Sequence, residues 1–230
     1  MNTPQLEQPS PAIRLKAQKI YSLLEQAYGL PEWRQPLPAV DELVSTILSQ
    51  NTNDVNRDRA FENLRDRFPT WDAVRDAAAD QVIEAVRVAG LANQKGPRIQ
   101  QVLRQISQER GEISLDFLRD LSPEEAHSWL TMHKGVGPKT AAIVMQFSLG
   151  IPAFPVDTHV YRVSGRLGLR PSEMNVEKTH VWMEKLYEPE QYGPGHLNII
   201  QHGREVCHAR KPECERCPLA QLCDFYQASR

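Results

Sequence analysis

Apolar residues recur along this chain at helical spacing, and this periodicity limits the possible fold more than any other feature of the sequence. From Ala39 onward, Val40, Leu43, Val44 and Ile47 fall on one face of a helix, because positions three, four and seven apart share a face. The later periodic segments repeat this spacing, and none shows the period of two that is typical of a half-buried strand. The sequence therefore predicts an all-α fold.

Local signals indicate where the helices begin and end. A first helix opens at Ser10-Pro11 and ends at Gly29, residues 1–9 are predicted to be disordered, and the proline-rich segment 30–38 to be a linker. Further helices are predicted from about residue 39 to the break at 50–54, and then at about 54–67, 71–77, 80–88, 94–110, 122–133, 138–150, 157–167, 175–187 and 191–206. The helix that starts at Pro138 is apolar nearly all round, so it is predicted to be buried.

The composition is that of an ordinary globular protein. Of 230 residues, 40% are apolar, which is enough for one large domain or two small ones. No stretch approaches the roughly 18 apolar residues of a membrane span, and the N-terminus lacks the pattern of a signal peptide. Cytoplasm is the expected location. The formal net charge of −2 argues against a protein that coats nucleic acid indiscriminately.

Charge is nevertheless concentrated locally. Residues 131–170 contain five lysines and arginines and only one acidic residue, Asp157. Within this stretch Gly135 and Gly137 separate two predicted helices, so their backbone N–H groups are expected to approach a phosphate closely. Glycines also end helices for purely local reasons. The stretch is predicted to bind an anion.

Two side chains in the same stretch are candidates for catalysis. Lys139 follows Pro138 in the first turn of the buried helix, where the helix dipole and desolvation favour the neutral, nucleophilic amine. A surface lysine that contacts phosphate is the alternative. Asp157 occupies a position typical of a helix N-cap, and a capping carboxylate is rigid enough to serve in a reaction as well.

Four cysteines lie close together near the end of the chain, in the spacing C-x6-C-x2-C-x5-C. They are Cys207, Cys214, Cys217 and Cys223. Because no secretion signal is present, clustered thiols indicate a metal site before disulfides, and four thiolates can hold zinc or an iron–sulfur cluster. Arg210 and Lys211, between the first two cysteines, are predicted to contact phosphate or else to form a solvated surface.

Three motifs in order, GVGPKT, VDTHVYR and the four-cysteine spacing, make the chain resemble the endonuclease III branch of the helix-hairpin-helix DNA glycosylases. The resemblance extends from about Ala39 to Cys223. It implies a six-helix barrel domain with the helix-hairpin-helix over residues 36–151, and a second, discontinuous helical domain over residues 1–35 and 152–230. It also implies that the four cysteines bind a [4Fe–4S] cluster.

The resemblance further implies roles for individual residues. Lys139 would be the nucleophile and Asp157 the catalytic carboxylate, while Leu91 and the polar loop at 49–54 would enter the space left by an extruded base. As helix breaks, these two loops could equally be ordinary connections. The residues implied to contact DNA are Gln50, Asn51, Leu91, Lys95, Gly135, Gly137, Thr140, His159, Arg162, Arg210 and Lys211.

The function implied is that of a bifunctional DNA glycosylase and AP lyase in base excision repair. Its partner would be double-stranded DNA with a damaged base, an oxidised pyrimidine, and the protein would act as a monomer at the nucleoid, without a membrane. The chain departs from the family pattern at Asn51, at His133-Lys134 and at Pro138, which affects the expected substrate range and DNA affinity. The alternatives are a glycosylase for mismatched or alkylated bases and a non-catalytic iron–sulfur DNA-binding module.

Overall fold

The computed structural model describes residues 8–31 and 35–229, and every regular element in these ranges is helical. The predicted all-α fold is confirmed. Most of the segment predicted to be disordered, residues 1–7, and positions 32–34 of the predicted linker lie outside the described residues. The α-helices are, in chain order, α1 Pro11–Tyr28, α2 Ala39–Ser49, α3 Asp54–Arg67, α4 Trp71–Asp76, α5 Ala79–Ala85, α6 Ala92–Arg110, α7 Pro123–Thr131, α8 Pro138–Val144, α9 Thr158–Arg166, α10 Val176–Glu184, α11 Tyr192–Glu205 and α12 Asp224–Ala228. None of these helices is both long and apolar enough to cross a membrane.

The chain packs as two compact units. One unit consists of residues 36–151, and its core is formed where α2 packs against α6 and α8. The other consists of the residues before 36 and after 151, and its core joins α1, α9, α10 and α11 around Phe154, which is fully buried. Burial of the apolar faces accounts for most of the stability of each unit, because isolated helices of this length are marginal in water.

Capping interactions begin several helices where the sequence predicts them. The side chain of Ser122 accepts a hydrogen bond from the Glu125 backbone, and the Glu125 carboxylate accepts one in return from the Ser122 backbone N–H, at 3.2 and 3.0 Å. This capping box opens α7. At α1, Ser10 caps the helix and Pro11 follows at its first position. Such contacts join residues three apart, so the sequence alone can specify them.

The buried helix after Pro138 is confirmed, with one modification. Residues 140–144 are all buried, as its apolar composition predicts. From Met145 to Leu149 the backbone continues as a π-helix, and Gly150, with φ +68°, ends it while Ile151 N–H donates to the Met145 carbonyl at 2.9 Å. A π segment widens the helix by one residue per turn, which hydrophobic periodicity does not reveal.

Candidate active site and cluster-binding loop

The turn between α7 and α8 depends on Gly135. This residue has φ +98°, a conformation that side chains disfavour. A Cβ atom at this position would lie 2.2 Å from Cδ of Arg98, so the hairpin packs directly on that arginine. Gly137 differs, because its φ of −89° suits any residue and a Cβ there would meet nothing within 4 Å. The surface beside Gly137 is therefore open to an approaching ligand.

Gln50 and the hairpin are joined through Arg98. The Arg98 guanidinium donates to the Gln50 side-chain oxygen at 2.8 Å, and the Gln50 amide nitrogen donates to the Gly135 carbonyl at 3.4 Å. The structure thus brings together two residues predicted to contact DNA, Gln50 and Gly135. Sequence reasoning missed Arg98, because its partners lie 37 and 48 positions away and no local spacing indicates them.

Two turns in the same unit have residues in the left-handed conformation. Asn51 has φ +53° and Leu91 has φ +51°, and both side chains are exposed. Leu91 precedes the first turn of α6 and exposes 48% of its surface. Strained, exposed positions of this kind are commonly found in binding loops. Both side chains are therefore available to a ligand, as a DNA contact requires.

The prediction of a direct DNA contact by Lys95 is corrected. Its side chain is 1% exposed, and Nζ donates to the carbonyls of Leu48 and Ala89, each at 2.8 Å. Burial lowers the pKa of Lys95. The amino group fastens the end of α2 to the turn before Leu91, so it stabilises the two exposed turns instead of reaching a ligand itself.

Lys139 and Thr140 occupy the first turn of α8. Lys139 is at the second helical position, directly after Pro138, and its side chain is partly buried. Thr140 is 4% exposed, so its backbone, and not its buried side chain, is available for the predicted DNA contact, which stays a prediction. Backbone N–H groups in the first turn of a helix lack partners within the helix, and these groups, with the Lys139 amine, are what this turn presents.

Asp157 is the N-cap of α9, as predicted. Its Oδ1 accepts a hydrogen bond from the backbone N–H of Val160 at 2.7 Å, and the side chain is only partly buried. In the part of the chain that the structure describes, no hydrogen bond to Oδ2 is found. One oxygen therefore holds the carboxylate in place while the other faces outward.

Arg162 and His159, one turn further along α9, connect this helix to α11 and to the cysteine loop. Arg162 donates to the carbonyls of Gly203 and Cys207 at 2.9 and 3.1 Å, and its Nη2 lies 3.1 Å from His159 Nδ1. Burial, aided by Arg162 and opposed by Asp157, lowers the pKa of His159. The neutral ring accepts from Arg162. The Arg162 guanidinium is held in place by these carbonyl groups, and the predicted contacts of Arg162 and His159 with DNA stay predictions.

The four cysteines line a single cavity, together with apolar side chains of α9 and α12. Within the described residues, no three side chains of His, Cys, Asp or Glu converge closely enough to hold one metal ion. A cubane cluster is bound by one thiolate at each iron. The donor set, four sulfur atoms spread around a cavity, fits a [4Fe–4S] cluster.

Burial and hydrogen bonds affect the cysteine loop in different ways. Burial raises the pKa of the Cys217 and Cys223 thiols, so iron binding must replace their protons. Arg166 donates to Sγ of Cys207 at 3.3 Å and to the carbonyls of His208 and Ala209 at 2.6 and 3.0 Å. Its guanidinium thus supports the backbone of the loop after the first cysteine.

Arg210 and Lys211 are both exposed, at the outer end of that loop. Lys211 has φ +51°, and the following backbone returns to the protein where Glu213 N–H donates to the Val206 carbonyl at 3.0 Å. The loop therefore presents two adjacent cations on a backbone that is fixed at both ends, as a phosphate contact requires.

Comparisons with known proteins agree with this geometry. Residues 44–189 match the family of HhH-GPD superfamily base excision DNA repair proteins, and residues 207–223 match the iron-sulfur binding domain of endonuclease III. Endonuclease III of Synechocystis sp. is 35% identical over 192 residues, which cover 83% of each chain. Endonuclease III of Sulfolobus acidocaldarius is 32% identical over 186 residues, which cover 80% of this chain and 81% of that protein.

The solved structure of a non-covalent endonuclease III–DNA complex has the same fold. Its endonuclease III superimposes with a TM-score of 0.80 at 26% identity, over 94% of this chain and 97% of that chain. A trapped covalent endonuclease III–DNA intermediate gives a TM-score of 0.77 at the same identity. The chain therefore belongs to the helix-hairpin-helix superfamily of base excision DNA repair proteins, in the endonuclease III branch that binds a [4Fe–4S] cluster through four cysteines.

Proposed function

We propose that this protein is a bifunctional DNA glycosylase and AP lyase that removes oxidised pyrimidines from duplex DNA as a monomer. The observation that carries the proposal is the position of Lys139, a partly buried amine in the first turn of α8, directly after a glycine hairpin with an open surface. The similarity to endonuclease III, solved elsewhere in complex with DNA, supports the class of partner. The choice of oxidised pyrimidines rests on the same resemblance.

Lys139 and Asp157 divide the chemistry between them. The Lys139 amine attacks C1′ of the deoxyribose and gives up a proton, and the C1′–N bond breaks with its electron pair leaving on the base, which takes up a proton. Positive charge develops on the sugar, and the outward-facing Asp157 carboxylate stabilises it. The sugar ring then opens to a Schiff base between C1′ and Nζ.

Strand cleavage follows from that imine. The Schiff base makes the C2′ proton acidic, and its removal expels the 3′ phosphate as the C3′–O bond breaks. Water finally hydrolyses the imine and frees Lys139. The strand is therefore nicked 3′ to the lesion by β-elimination, and the enzyme is regenerated without a metal-dependent step.

DNA contacts surround this chemistry. The base must leave the stack before C1′ is accessible. Leu91 and Asn51 are exposed in left-handed turns, and we assign them to the vacated space, with Gln50 beside them. The glycine hairpin binds a backbone phosphate. Arg210 and Lys211 bind another, and the [4Fe–4S] cluster supplies the rigid cross-link that holds their loop.

Borohydride trapping tests the nucleophile. Reduction of the Schiff base joins the enzyme covalently to DNA that contains thymine glycol, and the adduct is measured as a shifted band on a denaturing gel. We expect wild type to form the adduct and Lys139→Gln to form at least about 100-fold less, because nothing else replaces the amine. The matched control is Lys134→Gln, which removes an exposed lysine from the same hairpin and should keep the adduct at saturating protein.

An adduct that survives in Lys139→Gln would remove this residue from its role. The same protein, assayed on a panel of duplexes with oxidised, alkylated or mismatched bases, identifies the substrate. Selective release of mismatched thymine or an alkylated purine would replace the proposed substrate. If the enzyme also forms the covalent adduct with that other substrate, the role of Lys139 as the nucleophile is retained.

A further inference from the structure

The segment that leads into Asp157 is a buried stretch of backbone outside any helix. Residues 153–156 are buried and extended, and Phe154 is fully enclosed by the core of its unit. Buried backbone N–H and C=O groups outside regular structure need other partners, since leaving them unpaired costs free energy. Hydrogen bonds from side chains are one way to meet that need.

Three side chains from α10 and α11 provide such partners. His180 Nδ1 lies 3.0 Å from the carbonyl of Phe154, and His196 Nδ1 lies 2.8 Å from the carbonyl of Pro155. Glu184 Oε1 accepts from the backbone N–H of Phe154 at 3.1 Å. Because a carbonyl oxygen only accepts, each imidazole must carry its hydrogen on Nδ1. We call residues 153–156 the connector, and His180, Glu184 and His196 the connector clamp.

Burying the side chains of the clamp costs free energy. His180 is 5% exposed and His196 is 1% exposed, and the core around them is otherwise mostly apolar. Burying polar rings costs free energy that apolar side chains of similar size would avoid. Each of their hydrogen bonds fixes the position of one backbone group. Apolar packing fixes such positions less closely. The clamp therefore fixes the position of the backbone at a cost in the stability of the protein.

The clamp fixes the position of the backbone that leads into Asp157. Its last clamped carbonyl, that of Pro155, lies two residues before Asp157, and the Val160 N–H holds the carboxylate from the other side. Phe154 is also stacked on Tyr187, with ring centroids 5.5 Å apart. The connector has little freedom to shift, so the outward-facing oxygen of Asp157 is held in one place.

We propose that His180, Glu184 and His196 are positioning residues that set the place of the Asp157 carboxylate for base excision. This inference rests on the function proposed above for Asp157. A carboxylate stabilises a developing cation only when it is well placed, and a shift of about 1 Å costs on the order of 100-fold in rate. The clamp acts on the rate of base release and not on DNA binding.

The test compares two variants at one position. His196→Leu removes the donor to Pro155, whereas His196→Asn keeps a donor, because the asparagine amide nitrogen occupies nearly the place of Nδ1. We expect His196→Leu to lower the single-turnover rate of base release by about 10- to 100-fold, with the Kd for lesion DNA unchanged. His196→Asn should restore most of that rate. Fluorescence of an unstacked base analogue beside the lesion should show that extrusion is intact in both.

Trp182→Phe is the control for stability. Trp182 lies on α10 beside the clamp residues, and its indole donates to the carbonyl of Leu169 at 2.7 Å, away from the connector. This variant should lose stability and keep the rate of base release. Equal rate losses in His196→Leu and Trp182→Phe at equal loss of stability would overturn the inference, as would a failure of His196→Asn to restore the rate.

Asp157→Asn separates this inference from the proposed function. If Asp157→Asn retains full base release, the role proposed for Asp157 is wrong and the clamp has no carboxylate to position, while the trapping of Lys139 still decides the proposed function. If Asp157→Asn is inactive while His196→Leu matches wild type, only the clamp is wrong. Should His196→Leu fail to fold, the pair His180→Leu and His180→Asn gives the same comparison at the Phe154 carbonyl.

Discussion

At the scale of single residues, two glycines of one motif have different reasons for being glycine. Gly135 is held at φ +98° against the side chain of Arg98, so the fold itself requires it. Gly137 has an ordinary conformation and open space beside it. Gly137 is also the N-cap of α8, where glycine is preferred to alanine, and the open space beside it suits the phosphate contact that we propose.

Alanine substitutions separate these two reasons. We expect Gly135→Ala to lower the free energy of unfolding by about 1–3 kcal/mol, because it adds strain and displaces Arg98. Gly137→Ala should lower that free energy by no more than about 1 kcal/mol, because alanine is a poorer helix N-cap than glycine, and weaken DNA binding about tenfold, equivalent to about 1.4 kcal/mol. Urea denaturation and fluorescence anisotropy with lesion DNA measure the two quantities. A Gly137→Ala variant with wild-type affinity would contradict the open-surface interpretation.

Lys95 is a basic residue with a structural role, although the sequence suggests a contact with a ligand. In the sequence it stands in a polar loop beside Leu91, where a basic residue suggests contact with phosphate. In the structure its amino group is buried between the carbonyls of Leu48 and Ala89. Charge in the sequence indicates a ligand only when the side chain reaches the surface, and the packing of α6 against α2 decides that.

At the scale of elements, α9 combines a structural cap with the proposed catalytic carboxylate. Asp157 Oδ1 binds the Val160 N–H, which pairs one of the N–H groups that every helix start leaves without partners. The same bond restricts the side chain, so Oδ2 is presented in a defined direction. Cap and carboxylate therefore support each other instead of competing for one residue.

Two substitutions at Asp157 separate the cap from the chemistry. Asparagine also caps helices well, so Asp157→Asn should change the free energy of unfolding by less than about 0.5 kcal/mol, whereas Asp157→Ala should lower it by about 1 kcal/mol. Both should release damaged base about 100- to 1000-fold more slowly, because the charge is gone. Thermal unfolding and single-turnover excision assays measure these effects. If the rate of base release changes with the stability of the variant and not with its charge, Asp157 serves only as a helix cap.

At the scale of the whole molecule, the cysteine loop connects the end of the chain to distant helices. Asp224, directly after the last cysteine, pairs with Lys16 of α1 at 2.5 Å. Arg166 of α9 supports the loop from within, and Arg162 binds the carbonyl of Cys207. A cluster bound at the four thiols would therefore stabilise α1 and α9 in addition to its own loop.

Removal of one thiolate tests this connection. We expect Cys214→Ser to lose cluster iron and visible colour, and to lower the free energy of unfolding by about 3 kcal/mol, because a tightly bound group no longer favours the folded state. Iron and sulfide analysis, absorbance and urea denaturation measure this. Gln221→Ser, at an exposed position in the same loop, is the control and should match wild type. If the variant lacks iron but has the free energy of unfolding of wild type, the cluster does not stabilise the helices beyond its own loop.

Much of the fold could be predicted from the sequence because its signals are local. The cap of Ser122, the cap of Asp157 and the burial of the helix after Pro138 all depend on residues within a few turns of one another. The four-cysteine spacing is also local, so it indicates a metal site, and the family resemblance identifies the group as a cluster. The π segment at Met145 was missed, since apolar spacing does not distinguish it from an α-helix.

By itself, the sequence determined which segments are helical, where they begin, and which motifs are candidates for the chemistry, since these depend on contacts between near neighbours. Only the tertiary structure decided what individual polar side chains do. Lys95 is buried, Arg98 supports the hairpin, and His196 binds the connector 41 positions away. Burial and long-range hydrogen bonds arise when helices pack, and no periodicity in the chain encodes them.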